Sequence, residues 1–335
     1  KKSSNGIRIL IVLLILLMIV AGVLVAIKFI QGNKIKQTQT SAGVEENKEP
    51  EKEVIKLPTT FAGKDRPIAV MIDNNINAMP QAGLLEADLV YEIIVEGGET
   101  RMMAVLKGKD VEKIGPVRSS RHYFLDYALE NDAIYVHFGW SPQAESDIST
   151  MGVNNINGLY YDGSYFWRVS EKYAPHNAVI STKNILKVAE NNEYRKTSEQ
   201  KPVLNYVADE IELEDGKEAE TITIPSRGKK QVDWNTDTTI TTKNIIVTFA
   251  ENYSLNDGSG KGRQGLENIG KLKGYYITNG KAIEIICEKT SRTTQTVYKD
   301  LQGNEIKVND GKTFIQICPL NANVKIEGNT KTTEK

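Results

Sequence analysis

"GPVRSSRHYFLDYALENDAIYVHF", residues Gly115–Phe138, decides the fold class. Its centre is an amphipathic helix. Phe124, Tyr127, Ala128 and Leu129 recur near helical spacing, and Asn131 is an end signal. The stretch closes on "AIYVHF" (Ala133–Phe138), which has the branched and aromatic content of a strand. A helix that hands over so quickly to a strand belongs to a layered α/β arrangement. Before the helix stand Arg118, Ser119, Ser120, Arg121 and His122, a concentration of donors at a helix start. Such a start presents free N–H groups and a partial positive charge, so an anion and ordinary capping both account for it.

The pattern continues outward in both directions. Upstream, "RPIAVMIDN" (Arg66–Asn74) reads as a buried strand. "LVYEIIVEGG" (Leu89–Gly98) and "TRMMAVLKG" (Thr100–Gly108) read as two more, joined in a hairpin at Gly97 and Gly98. Downstream, Ser141 followed by Pro142 starts a helix, a capping residue with proline at the first helical position. "GLYYDGSYFWRVS" (Gly158–Ser170) reads as an aromatic loop with short strands, and another helix starts at Ser181 or Thr182. The expected unit is an α/β domain with a mixed sheet over residues 61–200. After Lys201 the runs are strand-like, among them "KNIIVTFAENY", "AIEIICEKT" and "TFIQICPL", with turn signals such as "TNGK" and "NDGK" between. A smaller, mainly β domain over residues 201–325 is expected, or an extension of the same sheet, with a tail from 326 to 335.

The N-terminus departs from this globular pattern. Ile9–Ile27 is an apolar run without a charge, long enough to cross a bilayer core of roughly 30 Å. The reading is one transmembrane signal anchor over residues 9–30, a short cytoplasmic tail over 1–8 and a disordered tether over 31–60. Lysines and an arginine flank both ends, so charge bias alone does not orient it. With a formal net charge of −1, the 335-residue chain makes no electrostatic case for nucleic acid. Cys287 and Cys318 sit in strand-like runs, Cys287 on an apolar face and Cys318 on a mixed one. A disulfide and two separate buried thiols are both open.

Several phrases together resemble one family, the YerB-like lipoproteins of Gram-positive bacteria (domain of unknown function 3048, N- and C-terminal domains). They are "RPIAVMIDN", "LLEADLVYE", "VEGGETR", "KIGPVRSSRHYFLD", "DAIYVHFGWSPQA" and "APHN", with a weaker downstream set ending in "TFIQICPL". The likeness runs from about Phe61 to Leu320 as two linked domains. It implies an extracytoplasmic, membrane-attached protein and supplies no catalytic residues. The family often carries a lipid-modified cysteine, where this chain has an apolar anchor.

The candidate site is an anion site of Arg118, Ser119, Arg121, His137, Arg168, His176 and Asn177. Arginine forks suit carboxylate or phosphate. Residues after strand ends are where α/β sheets gather ligand groups. Asp126 or Glu112 would be local partners for the arginines, and Ser119 or Ser120 would cap the helix, if the cluster were only structural. A nucleophilic triad of Ser119, Ser120 or Ser141 with His137 or His176 and Asp73 as orienter is available by residue type, but "GWSPQ" and "VRSSR" match no nucleophile elbow. Glu92 and Glu96, four apart on one strand, would lie about 13 Å apart, too far for a glycosidase pair. No HExxH or CxxC motif occurs, so neither a metal nor a cofactor is expected.

The preferred reading is an anchored extracytoplasmic module of the cell envelope that binds an anionic ligand or partner, rather than an enzyme. Its partners would be the membrane, through the N-terminal helix, and peptidoglycan, an anionic wall polymer or wall-synthesis proteins. The alternatives are an envelope-polymer hydrolase or transferase using His137 or His176, and a scaffold for wall-synthesis proteins.

Overall fold

The structure, a computed structural model, describes residues 56–224 and 231–328. The expected cytoplasmic tail, the anchor, the tether up to residue 55 and the C-terminal tail beyond residue 328 lie outside the described residues. At the tether's described end Thr59 and Thr60 are held by the Asp310 carboxylate, so the folded part starts before residue 61. Among the described residues no helix is long and apolar enough to cross a membrane.

The first half follows the expected order. β1 (Ile68–Asp73) is buried along its whole length, as its unbroken apolar run requires. β2 (Leu89–Ile94) and β3 (Thr100–Leu106) pair antiparallel across the Gly97–Gly98 turn, and β3 pairs with β1. α1 (His122–Glu130) ends at Asn131 as expected, and β4 (Ile134–His137) follows, parallel to β1. α2 (Pro142–Thr150) is capped by Ser141, whose hydroxyl accepts from the Ala144 amide at 3.3 Å. β5 (Asn155–Asn157) continues the sheet beside β4. β6 (Trp167–Arg168) and β7 (Ala178–Val179) form a two-stranded ribbon in the aromatic loop, and Ser181 caps α3 (Thr182–Asn191).

The second half is almost wholly β: β8 (Tyr206–Val207), β9 (Lys217–Glu218), β10 (Thr221–Thr223), β11 (Asn244–Ser254), β12 (Gln264–Glu267), β13 (Gly270–Thr278), β14 (Lys281–Lys289), β15 (Val297–Lys299), β16 (Val308–Asn309), β17 (Thr313–Pro319) and β18 (Lys325–Glu327). Of the two options for this half, the main strands extend the first sheet. The strand order is β15-β14-β13-β11-β17-β2-β3-β1-β4-β5. β17 lies parallel to both β11 and β2, with Ile315 opposite Ile246 and Tyr91, and so welds the two halves. This half is mainly β, as expected, and of the two alternatives the extension of the first sheet holds. An uninterrupted buried strand such as "TFIQIC" needs a neighbour on each edge, and β2 supplies one of them.

Each face of the sheet carries its own core. Met71, Tyr91, Met103 and Tyr135 pack under α1 through Tyr123, Phe124 and Tyr127. Val70, Val90, Ala104 and Val136 pack under α3 through Ile185 and Val188. Cys287 belongs to the α1 face, whereas Cys318 packs with Val247 and Ile277 in a third cluster. Both cysteines are buried and free, which decides between the two options left open above.

Side chains from the second half also grip the first. Lys289 of β14 places Nζ 2.8 Å from Glu130 Oε2 at the end of α1, and both side chains are almost wholly buried. The Glu130 carboxylate also accepts from Tyr91 Oη at 2.7 Å and from the Thr296 hydroxyl at 2.6 Å. Arg292 holds Asp126 of α1 and Asp147 of α2, each at 2.7 Å.

Candidate functional site

Three extended segments lie side by side at one end of the sheet. β1 ends in Asp73. The chain from Ile114 to Arg118 runs along it, with the Arg118 amide donating to Met71 O at 3.0 Å and the Asp73 amide to Pro116 O at 2.9 Å. On its other side runs the segment entering β7, held by Val117 N to Ala178 O at 2.7 Å and Ile114 N to Ile180 O at 2.7 Å. Gly115 makes this approach possible. Its φ is +138°, and a Cβ there would meet Val117 N at 2.8 Å and Ala178 O at 2.9 Å.

This packing brings Arg118 and His176 to the same carboxylate. Asp73 Oδ2 is 3.1 Å from Arg118 Nε and 2.6 Å from His176 Nδ1. Asp73 Oδ1 accepts from the Asn75 amide at 3.0 Å, so the carboxylate is fixed from both sides. The Arg118 contact is an ion pair whose Nε finds no well-directed hydrogen bond. Its terminal Nη atoms have no protein partner among the described residues, nor do the hydroxyl of Ser119 and Nε2 of His176.

Arg118, Ser119 and Arg168 line one cleft of about 370 Å³, together with Gly139, Trp140 and Pro175. Arg168 is less available than Arg118. Its Nε and Nη2 both reach Asp162 Oδ2 at 2.9 Å, Nη1 reaches Asn177 Oδ1 at 2.8 Å, and the guanidinium covers the Phe138 ring. Asn177 holds the turn, with its amide donating to Lys172 O at 3.3 Å and Val169 O at 3.4 Å. His176 lines a second cleft, of about 620 Å³, with Lys172, Tyr173 and Trp234. There the Lys172 ammonium donates to Ala78 O at 2.6 Å and stands 3.4 Å from the centre of the Trp234 ring. Burial lowers that ammonium to about 8.

Two of the expected residues belong elsewhere. Arg121 faces away from the clefts and is closed by Glu96, which takes its Nε at 2.8 Å and also its Nη2, while Nη1 donates to Ser120 O at 2.7 Å. Arg101 joins the same carboxylate at 3.4 Å. Burial pushes the Glu96 carboxyl up, but the hydrogen bond from Arg121 and the charges of Arg101 and Arg121 outweigh it and hold the group at about 2. Both ring nitrogens of His137 are engaged in the core, Nδ1–H donating to Gly139 O at 2.8 Å and Nε2 lying 3.0 Å from the Asn155 side-chain amide. Burial lowers it to about 4, so at neutral pH it is uncharged and has no free ring nitrogen for acid–base work.

The expected local partners are corrected too. The partners of Arg118 and Arg121 are Asp73 and Glu96, not Asp126 or Glu112, and neither Ser119 nor Ser120 caps α1, whose N-cap residue is Arg121. Ser120 instead accepts from Tyr135 Oη at 2.8 Å. Sequence reasoning missed Asp162, Lys172 and Trp234. Asp162 stands six residues before its arginine partner in a loop with no periodicity, and Trp234 lies far along the chain from Lys172, so neither left a local signal. No group of three or more His, Cys, Asp or Glu side chains among the described residues is placed to hold a metal ion.

Comparison with known proteins covers nearly all of this architecture. The DUF3048 N-terminal domain, a domain of unknown function, matches residues 57–195, and the DUF3048 C-terminal domain matches residues 189–315. The chain is 33% identical to the Bacillus subtilis (strain 168) protein described as "Putative lipoprotein YerB", over 76% of this chain and 81% of that one. The crystal structure of YerB from Bacillus subtilis superposes with a TM-score of 0.70 at 29% identity, covering 81% of this chain and all of that one.

Proposed function

The chain belongs to the DUF3048 family, and on that premise we propose that it is a membrane-attached extracytoplasmic protein of the cell envelope, which binds an anionic group in the cleft beside Arg118. The relative's description as a lipoprotein supports the location. In this chain both cysteines lie in the C-terminal half, inside strands, so attachment is assigned to the apolar run Ile9–Ile27. The polar residues 31–55 then serve as the tether.

One observation carries the binding reading: Arg118 is positioned through Nε by Asp73 while its terminal nitrogens remain uncommitted at the cleft wall beside Ser119. An arginine held at its neck and open at its fork is preorganised for a carboxylate or phosphate. The group would come from a wall-peptide carboxylate, a polymer phosphate or an acidic partner. The test is retention of the full chain, in detergent micelles, on purified envelope polymer. Arg118→Ala should weaken retention by roughly tenfold, the order of one charge-assisted hydrogen bond, and the wild-type interaction should fall with salt. Unchanged retention by a folded Arg118→Ala protein would remove the reading and favour a scaffold that uses another surface.

A second reading has its own support in the 2.6 Å contact between His176 and Asp73. A carboxylate on Nδ1 fixes the tautomer that leaves Nε2 as a base. Envelope-polymer hydrolysis would use His176 in that role, with water as nucleophile. Product release from envelope polymer that persists in folded His176→Gln would exclude it. His137 has no part in this reading.

A further inference from the structure

A third cavity shares no lining residue with these clefts and lies over strands β2, β3 and β17 of the sheet. It measures about 230 Å³, and its apolar walls include Leu84, Val90, Met102 and Phe314. Glu92 of β2 lines it and is only 4% exposed. One oxygen of Glu92 is accounted for: Oε1 accepts from the Thr100 hydroxyl at 2.8 Å, and that hydroxyl in turn accepts from Asn74 Nδ2 at 2.7 Å. No lysine or arginine among the described residues pairs with the carboxyl. The neighbouring Gln316 amide goes to the backbone oxygen of Glu92, at 3.3 Å, and not to its side chain.

A second acceptor lines the same cavity. Oε1 of Gln231 is buried without a hydrogen-bond partner. Lys312 also lines the space, but its ammonium donates to Leu84 O at 2.8 Å and to Leu85 O, and it is balanced by Glu86, Asp233 and Asp88. Among the described residues the cavity therefore presents two acceptors in largely apolar surroundings, with the Thr241 hydroxyl as a neutral donor in its lining and no cation committed to Glu92. A buried carboxyl without a cation is costly, and the cost is met by keeping a proton or by receiving a positive charge.

We propose that this cavity binds a small organic cation, a primary amine carried on a short apolar chain or ring, with the ammonium on Glu92 and Gln231. The volume corresponds to roughly eight heavy atoms at the share of space a water takes in the liquid, the size of a hexyl or phenylethyl amine. Burial, partly offset by the Thr100 hydrogen bond, raises Glu92 to about 7, so near pH 6.5 the carboxyl is mostly protonated and an ammonium would displace that proton. On the adjacent strand Cys318 feels the Glu92 charge, and burial and that charge push it up to about 12, so it stays a neutral thiol throughout.

The experiment uses the full chain with hexylamine, hexanol and hexanoate as probes, read by thermal unfolding and by calorimetry near pH 6.5 in two buffers of different ionisation enthalpy. Hexylamine should raise the midpoint well above hexanol, hexanoate should do nothing, and amine binding should release a proton. Glu92→Gln, which keeps the shape and the Thr100 contact, should lose the preference for amine over alcohol. Equal effects of amine and alcohol, no effect of either, or no proton release by the wild type would overturn the proposal. The proton count is made on unaltered protein, so it stands even if Glu92→Gln misfolds. Arg118→Ala should leave amine binding untouched, which separates this site from the anion cleft.

Discussion

Arg118 and Arg121 stand three residues apart in one phrase, "VRSSR", and each meets a buried or half-buried carboxylate. Their surroundings differ in kind. Glu96 takes two nitrogens of Arg121 and the third goes to a backbone carbonyl, so the fork is spent. Asp73 takes only the neck of Arg118 and shares the same oxygen with His176. The contrast separates polar groups that close on themselves from those that stop at a cleft wall. The first kind contributes to stability. The second is held in place at some cost in stability and remains available for binding.

The closed kind is most complete at Glu130 and Lys289. Both are almost wholly buried, and the carboxylate has three other donors. Lys289→Met would leave an uncompensated charge between the two halves of the sheet. A loss of about 3–5 kcal/mol in urea unfolding is expected. If the loss is below about 1 kcal/mol, the join between the halves does not depend on this pair.

His137 gives the next largest effect, and its sign is fixed by burial. Its folded value, about 4, lies below the ordinary 6.5. As pH falls from about 6.5 towards 4 the unfolded chain takes up a proton that the folded chain refuses, so stability falls over that window and is fully present above it. The size is about 3 kcal/mol at the acid end. His137→Asn should flatten that slope relative to wild type, and an unchanged slope would mean that the ring is not sealed as described.

Arg121→Ala comes next. It frees Glu96 from its main partner, although Arg101 still faces it. With Glu96 held at about 2 in the folded chain, wild-type stability is present above about pH 4.5 and lost as pH falls towards 2. Because Glu96 is partly exposed, a loss of about 2 kcal/mol at neutral pH is expected, with a shallower acid limb. Retention on envelope polymer should stay near wild type. If it collapses while the protein remains folded, the division between the two arginines fails.

The sequence carried what local chemistry encodes. The Gly97–Gly98 hairpin, the end of α1 at Asn131 and the caps at Ser141 and Ser181 all stand where spacing and residue type put them. β5 escaped because "NIN" is too short to show alternation. The insertion of β17 beside β2 escaped because residues more than two hundred apart pair there, as Gln316 does with Glu92, and no local pattern marks such a partner. The site divides the same way. Arginines at a helix start were visible, but nearness in sequence pointed to Glu112 and Asp126, whereas the true partners come from β1 and the β2–β3 turn. Asp73 was visible as an orienting group at a strand end, but its distance from His176 belongs to the fold alone.

Arg118→Ala should give the smallest stability change and the clearest functional one. The Arg118 side chain is 21% exposed, and its contact with Asp73 at 3.1 Å is poorly directed. Asp73 would keep His176 at 2.6 Å and the Asn75 amide at 3.0 Å, so its charge would not be stranded. An ion pair of this kind contributes less than about 1 kcal/mol. An unfolding midpoint near wild type, together with lost retention on envelope polymer, would mark Arg118 as a group kept for a ligand. A loss of stability as large as that of Arg121→Ala would instead place Arg118 with the sealed groups, and the cleft would be without its principal cation.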